Sequence, residues 1–234
     1  MFELLILGFL LGMRHSMEAD HVAAVATLTT GSRGTREAIL LGAAWGLGHT
    51  LTLLVVFGLV LSMDGVIPER LAQGLEGAVG VMLILLGLDL IRRMRRERVH
   101  FHLHRHADNT LHVHAHSHAG DRGPHSLNHA HPHPRQFPLR ALCVGLMHGL
   151  AGSAALILLT LGHVSSPLTG LVYVGLFGLG SIAGMALLSL IISVPLHSVR
   201  HITWLCNGLQ ASVAVTTIAI GSLLVYQNYL TPLV

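Results

Sequence analysis

Between Gly12 and Val25 the sequence reads GMRHSMEADHVAAV, and five of those residues, Arg14, His15, Glu18, Asp20 and His21, carry or can carry charge. They lie between FELLILGFLL and VAAVATL, an apolar setting in which ionisable groups are costly unless compensated. Imidazole and carboxylate together are a donor set for a divalent transition metal. Nitrogen donors suit nickel, cobalt, zinc and copper(II), and the lack of thiolate argues against copper(I). Two further histidines stand in oily stretches, His49 in GLGHT and His148 in LMHGL. His15, Asp20, His21, His49 and His148 are therefore the candidate ligands. The plainer alternative is an Arg14–Glu18 ion pair at i,i+4 with histidines bonded to nearby backbone. It leaves Asp20, His21, His49 and His148 unexplained.

Helix geometry constrains the site. On a regular α-helix His15, Asp20 and His21 fall at about 0°, 140° and 240° around the axis, so one helix cannot aim all three at one ion. Either the segment kinks or unwinds between Gly12 and Ala23, or some of the three orient the others instead of binding.

The elements that must hold these residues are membrane helices. The chain is 52% hydrophobic and 11% charged, against about a quarter charged in soluble domains. Six segments of the roughly 20 apolar residues needed to cross a bilayer can be read, at 2–28, 37–61, 71–93, 138–162, 168–194 and 202–226. The expected fold is an all-α polytopic membrane protein. The start carries Glu3 and lacks a small-residue cleavage motif, so it reads as a span and not a leader. Cys143 and Cys206 read as small unpaired core residues. The sequence pI near 9.4 comes mostly from one arginine cluster and speaks to orientation in a cytoplasmic membrane, not to nucleic acid. The first, third and fifth connections hold Arg33 and Arg36, the run from Arg92 to Arg140, and Arg200, while the other side has Arg70 beside Asp64 and Glu69. Both termini are therefore expected outside and the long third connection in the cytoplasm.

The chain also resembles itself. GMRHSMEADHVAAVATL (12–28) aligns with GLMHGLAGSAALILLTL (145–161), matching Gly12 to Gly145 and His15 to His148. WGLGHTLTLL (45–54) aligns with FGLGSIAGMA (177–186), and GLEGAVGVMLILLGLDL (74–90) with GLQASVAVTTIAIGSLL (208–224). Three matches in the same order at nearly one offset indicate duplication. Three helices per half is odd, so the second half enters from the opposite side, giving a 3+3 inverted repeat with its substrate site between the halves. The expected organisation is 1–99 as repeat 1, 100–136 as a histidine-rich cytoplasmic loop, and 137–234 as repeat 2.

That loop carries His100, His102, His104, His106, His112, His114, His116, His118, His125, His129, His131 and His133, twelve of the nineteen histidines. Its composition cannot bury a core and is expected to be disordered, with the imidazoles buffering or sensing transition metal. Among lesser candidates, Asp89 beside Arg92 and Arg93 reads as an interfacial ion pair. Glu76 and Gln210 are repeat-equivalent and, with Arg14, Glu18 and Ser153, are candidates for the pathway or for supporting the ligands. Ser153 and Ala154 replace Asp20 and His21 in the second repeat, so the first repeat supplies most ligands. His163, His197 and His201 fall near helix ends, where exposure is the default.

The heptad HSMEADH (15–21) matches the His-x-x-x-x-Asp-His signature of the nickel/cobalt transporter family. Together with WGLGHTLTLL and HGLAGSAAL it resembles that family's shorter, urease-accessory-type branch, across essentially all six segments. The resemblance implies transport of Ni²⁺ or Co²⁺ as substrate, with His15, Asp20 and His21 in the selectivity site and His49 as the second histidine motif. Better-known uptake members have eight helices and Asp where Glu18 stands. The heptad is of the uptake type and the loop of the efflux type. The expected function is a secondary transporter, with uptake favoured and efflux as the alternative, and with Zn²⁺ as a further substrate candidate. Expected partners are the lipid bilayer, the metal ions and cytoplasmic nickel or cobalt chaperones, with no nucleic acid and no catalytic cofactor. A membrane metalloenzyme fits less well, because the His-Glu-x-x-His pattern is absent and a di-iron site would want more intramembrane histidines. A metal-binding accessory or sensor protein without transport is the remaining class.

Overall fold

In lipid the backbone must satisfy its own hydrogen bonds, which for apolar runs of this length means helix. The computed structural model describes residues 2–32, 34–62, 68–96, 100–105, 111–116, 138–161, 166–199 and 202–230. Among them are the helices α1 (Phe2–His15), α2 (Ala19–Thr29), α3 (Thr35–Ser62), α4 (Glu69–Arg96), α5 (Leu139–Leu161), α6 (Pro167–Ser198) and α7 (Thr203–Val225), the last running into a π-helical turn at Tyr226–Leu230. Four of them are long and apolar enough to cross a membrane.

The first expected segment is two helices, α1 and α2, with the break inside the Gly12–Ala23 interval that helix geometry offered as one of two solutions. Ser16 Oγ–H donates to the Met13 carbonyl (2.6 Å). The amides of Met17 and Glu18 close tight i→i−3 turns onto Arg14 (2.9 Å) and His15 (3.0 Å). Glu18 is extended (φ −63°, ψ 149°) and stands at the start of α2. The turn re-aims His15 relative to Asp20 and His21.

Around this break α3 packs against α5 and α6, α1 against α6, and α4 against α7. Glycine permits the approach: a Cβ at Gly12 would collide with the Phe177 carbonyl on α6, and one at Gly145 with the Trp45 carbonyl on α3. Threonines add bonds across the same seams, from Thr50 Oγ1 to the Gly178 carbonyl (3.1 Å) and from Thr52 Oγ1 to the Leu146 carbonyl (2.9 Å). Gly12→Val, placing a branched side chain against the Phe177 carbonyl, is expected to lower the melting temperature of the detergent-solubilised protein sharply, whereas Gly58→Ala, where a Cβ meets nothing within 4 Å, leaves it near wild type. Equal thermal stability of the two variants would show that the α1–α6 seam is not close-packed.

Two expectations change. His100–Arg105 (β1) pairs antiparallel with Leu111–His116 (β2), so this part of the loop is not without regular structure. The physical reason is alternation: HFHLHR and LHVHAH put imidazole and apolar residues in strict period two, a strand pattern that composition alone does not reveal. Cys143 is exposed on the outer face of α5, not in the core, because lipid accepts a small apolar side chain as readily as the interior does. The plainer alternative for the heptad does not hold: Arg14 is exposed, and Glu18 pairs with His15 and not with Arg14. Asp89 does form an interfacial pair, with Arg93 (3.3 Å) and with Arg140 of α5 (2.7 Å).

Candidate metal centre

Four histidines converge beside the break: His15 from the end of α1, His21 from the first turn of α2, His49 from the middle of α3 and His148 from α5. His21, His49 and His148 are 1%, 0% and 2% exposed, while His15 keeps 15%. Ring centres lie 4.3 Å apart for His15–His21 and His21–His148, 5.2 Å for His21–His49, 5.3 Å for His15–His49 and 5.8 Å for His49–His148. An ion held at the usual 2.0–2.1 Å puts the centres of its imidazoles about 5 Å apart, the same scale.

Hydrogen bonds decide which nitrogen of each ring is free. The carboxylate of Asp20 accepts from His21 Nδ1–H through Oδ1 (3.0 Å) and from His148 Nε2–H through Oδ2 (3.0 Å). Oδ1 also accepts from the His21 backbone amide (2.9 Å). Glu18 Oε1 accepts from His15 Nδ1–H (3.0 Å). A neutral imidazole that donates from one nitrogen carries a lone pair on the other. His21 Nε2, His148 Nδ1 and both nitrogens of His49 are buried and have no hydrogen-bond partner. Leaving such groups unmet costs about 1–3 kcal/mol each, so a cluster of them is far more economical as a set of ligands than as core.

Two overlapping donor groups result, sharing His21. One is His15, His21 and His49; the other is Asp20, His21 and His148; within each, the donor atoms lie within 4.8 Å of one another. The structure thus gathers all five expected ligands, with Asp20 engaged by two imidazoles. Glu18 touches the centre through His15 and is 57% exposed. Glu76 is exposed on α4, and Gln210 lies on α7 with its amide toward Cys206 Sγ (3.7 Å); neither belongs to a donor group. Ser153 lies on α5, and its side chain falls outside the described residues, as do His106, His118, His125, His129, His131, His133, His163 and His201. His197 is half-buried, with Nδ1–H donating to the Ser193 carbonyl (2.7 Å).

Two aromatic neighbours were not singled out from sequence. Trp45 is fully buried, 5.3 Å from both His21 and His148, and Phe177 lies 5.2 Å from His15. They occupy matching positions in WGLGHT and FGLGSI, so the internal alignment held the signal. They wall the histidines with apolar surface. A cleft of about 350 Å³ between α2 and α7 is lined mainly by apolar residues, with Ser212, Thr216 and Thr217 among them and no His, Cys, Asp or Glu.

The chain is 34% identical over 201 residues to the urease accessory protein UreH of Bacillus sp. (strain TB-90), covering 83% of this chain and 78% of that protein. No family model matches, and no solved structure does.

Proposed function

This chain belongs to the nickel/cobalt transporter family, in its shorter urease-accessory-type branch, and from that premise we propose that it is a secondary transporter carrying Ni²⁺ or Co²⁺ into the cell across the cytoplasmic membrane. The observation that carries the reading is the set of buried, unpartnered ring nitrogens on His21, His49 and His148, joined by His15 at the helix break. The cargo binds to the four imidazoles, with Asp20 holding His21 and His148 and Glu18 holding His15. Because His15 is the least buried of the four, ions enter and leave past His15 and Glu18.

The six segments are read as a 3+3 inverted repeat. Its support is that Gly12 against Phe177 and Gly145 against Trp45 are the same contact with the halves exchanged. Such a plan places the cargo between two units that rock against each other, which is how an occluded site reaches both sides in turn. The termini are outside and the loop is cytoplasmic, where it meets incoming metal before hand-over to soluble chaperones.

The test is flux of radiolabelled nickel, cobalt and zinc into proteoliposomes, with and without a proton gradient. Saturable nickel or cobalt flux is the expected result; tight binding without flux would make the protein an accessory or sensor instead. Direction is read from the same vesicles by reversing the gradient. Orientation has its own check: single cysteines at the N-terminus and at Ser165 react with an impermeant thiol reagent on intact cells, and one at Asp108 does not. Labelling at Asp108 overturns the arginine-based topology.

A further inference from the structure

The histidine cluster borders a buried donor that a bare cation cannot satisfy. Trp45 is fully buried, and its Nε1 has no hydrogen-bond partner. The indole stands 5.3 Å from the ring centres of His21 and His148, at interplanar angles of 65° and 72°, so it adjoins whatever those two rings bind. A bound ion answers the lone pairs of His21 Nε2, His148 Nδ1 and one nitrogen of His49, but an indole N–H is a donor only and needs an acceptor. The carboxylates of the centre are engaged elsewhere, Asp20 with His21 and His148, Glu18 with His15. We infer that the cargo ion is bound together with one small monovalent anion, a halide or hydroxide, which coordinates the ion and accepts from Trp45 Nε1–H. This rests on the four-imidazole cargo site of the transport reading.

Charge leads to the same ligand. With neutral imidazoles, a divalent ion and the Asp20 carboxylate leave one positive charge beside the buried rings of His21, His49 and His148, and an uncompensated buried charge is heavily penalised. Glu18, 57% exposed, is too well hydrated to cancel it. One monovalent anion brings the sum to zero. Coordination preference leaves room for it on nickel and not on zinc. Ni²⁺ among nitrogen donors favours tetragonal arrangements with positions beyond the first four, whereas Zn²⁺ is complete with four. Trp45 therefore favours nickel over zinc by holding a ligand that only nickel accepts. The far nitrogen of His49 is no substitute donor, because it is directed away from an ion bound at the near one.

The probe is nickel in the presence of bromide. Full-length protein in detergent is loaded with Ni²⁺ near pH ~8, where imidazoles are neutral, in chloride, in bromide and in halide-free sulfate at equal ionic strength, and nickel X-ray absorption is recorded. Four imidazoles and one further ligand are expected. A heavy scatterer that appears with bromide identifies a halide. A single oxygen in all three buffers, with about one proton released per nickel, identifies hydroxide formed from a water that gave its proton to the buffer. Trp45→Phe keeps the apolar wall and removes the N–H. It is expected to lose the further ligand and to bind nickel about 10–100-fold more weakly, the scale of a hydrogen bond to a charged group, with zinc affinity unchanged. Trp204→Phe, at a position 77% exposed, should alter neither. The proposal is overturned by an oxygen without proton release, or by a Trp45→Phe protein that keeps both the ligand and wild-type affinity. The wild-type spectra decide alone if Trp45→Phe does not fold. Four imidazoles with no further ligand end this inference and leave the transport reading standing; nickel that finds no imidazole cluster ends both.

Discussion

His21→Ala abolishes nickel flux in proteoliposomes while the protein still inserts and purifies as wild type. The loss expected is at least about a hundredfold in apparent affinity, equivalent to about 2.7 kcal/mol. His21 is chosen because both donor groups share it. Its Nε2 is buried and unpartnered, its Nδ1–H is fixed on Asp20, and its ring lies 4.3 Å from His15 and from His148, centre to centre. Alanine there removes the one nitrogen no alternative arrangement of the cluster can do without. His49→Ala is expected to be nearly as severe, since both its nitrogens are buried without partners. His15→Ala should be milder, because a partly exposed position admits water as a substitute ligand. The ordering His21, His49, His15 is itself the check: a purely structural cluster would rank the variants by buried volume and thermal stability, and flux would track the melting temperature. Wild-type flux in His21→Ala would end the proposal outright. Binding should also weaken in acid, because a ligand must be unprotonated.

Much of this was legible in the sequence for physical reasons. Lipid restricts the backbone to helix, so apolar run length alone placed α3, α4, α6 and α7 to within a few residues. The impossibility of aiming His15, Asp20 and His21 from one regular helix left a break between Gly12 and Ala23 as one of two solutions, and the break lies at Ser16–Glu18. What sequence could not give was the division of labour within the cluster. Which nitrogen of an imidazole is free depends on where its other nitrogen donates, and the Asp20–His148 bond joins residues of different halves of the chain. The i,i+4 spacing of Arg14 and Glu18 pointed to a pair that does not form, because the break at Ser16 destroys the helical geometry on which that spacing rests. The pairing of β1 with β2 was not legible, because period two is visible in HFHLHR and LHVHAH but the partner of each strand is not.

Asp20 separates two descriptions of the centre, as ligand or as the group that presents ligands. Its carboxylate accepts from both His21 Nδ1–H and His148 Nε2–H, and an acceptor-only group is what fixes both rings with their lone pairs on the remaining nitrogens. Asp20→Asn keeps the shape but replaces one acceptor oxygen by an NH₂ donor. One of the two imidazoles must then accept that hydrogen bond, move its own proton to the far nitrogen and turn an N–H, not a lone pair, toward the ion. The expected result is a loss of about 10–100-fold in nickel affinity, the usual effect of removing a group that orients a metal ligand. X-ray absorption on the nickel-loaded protein gives the signature: four imidazoles in wild type and three in Asp20→Asn, without loss of insertion. Asp20→Ala frees both rings at once and should reduce flux further than Asn does. If Asp20→Asn retains all four imidazoles and loses instead an oxygen from the metal, Asp20 binds the ion directly and the orienting role is wrong. If it transports like wild type, the carboxylate does neither.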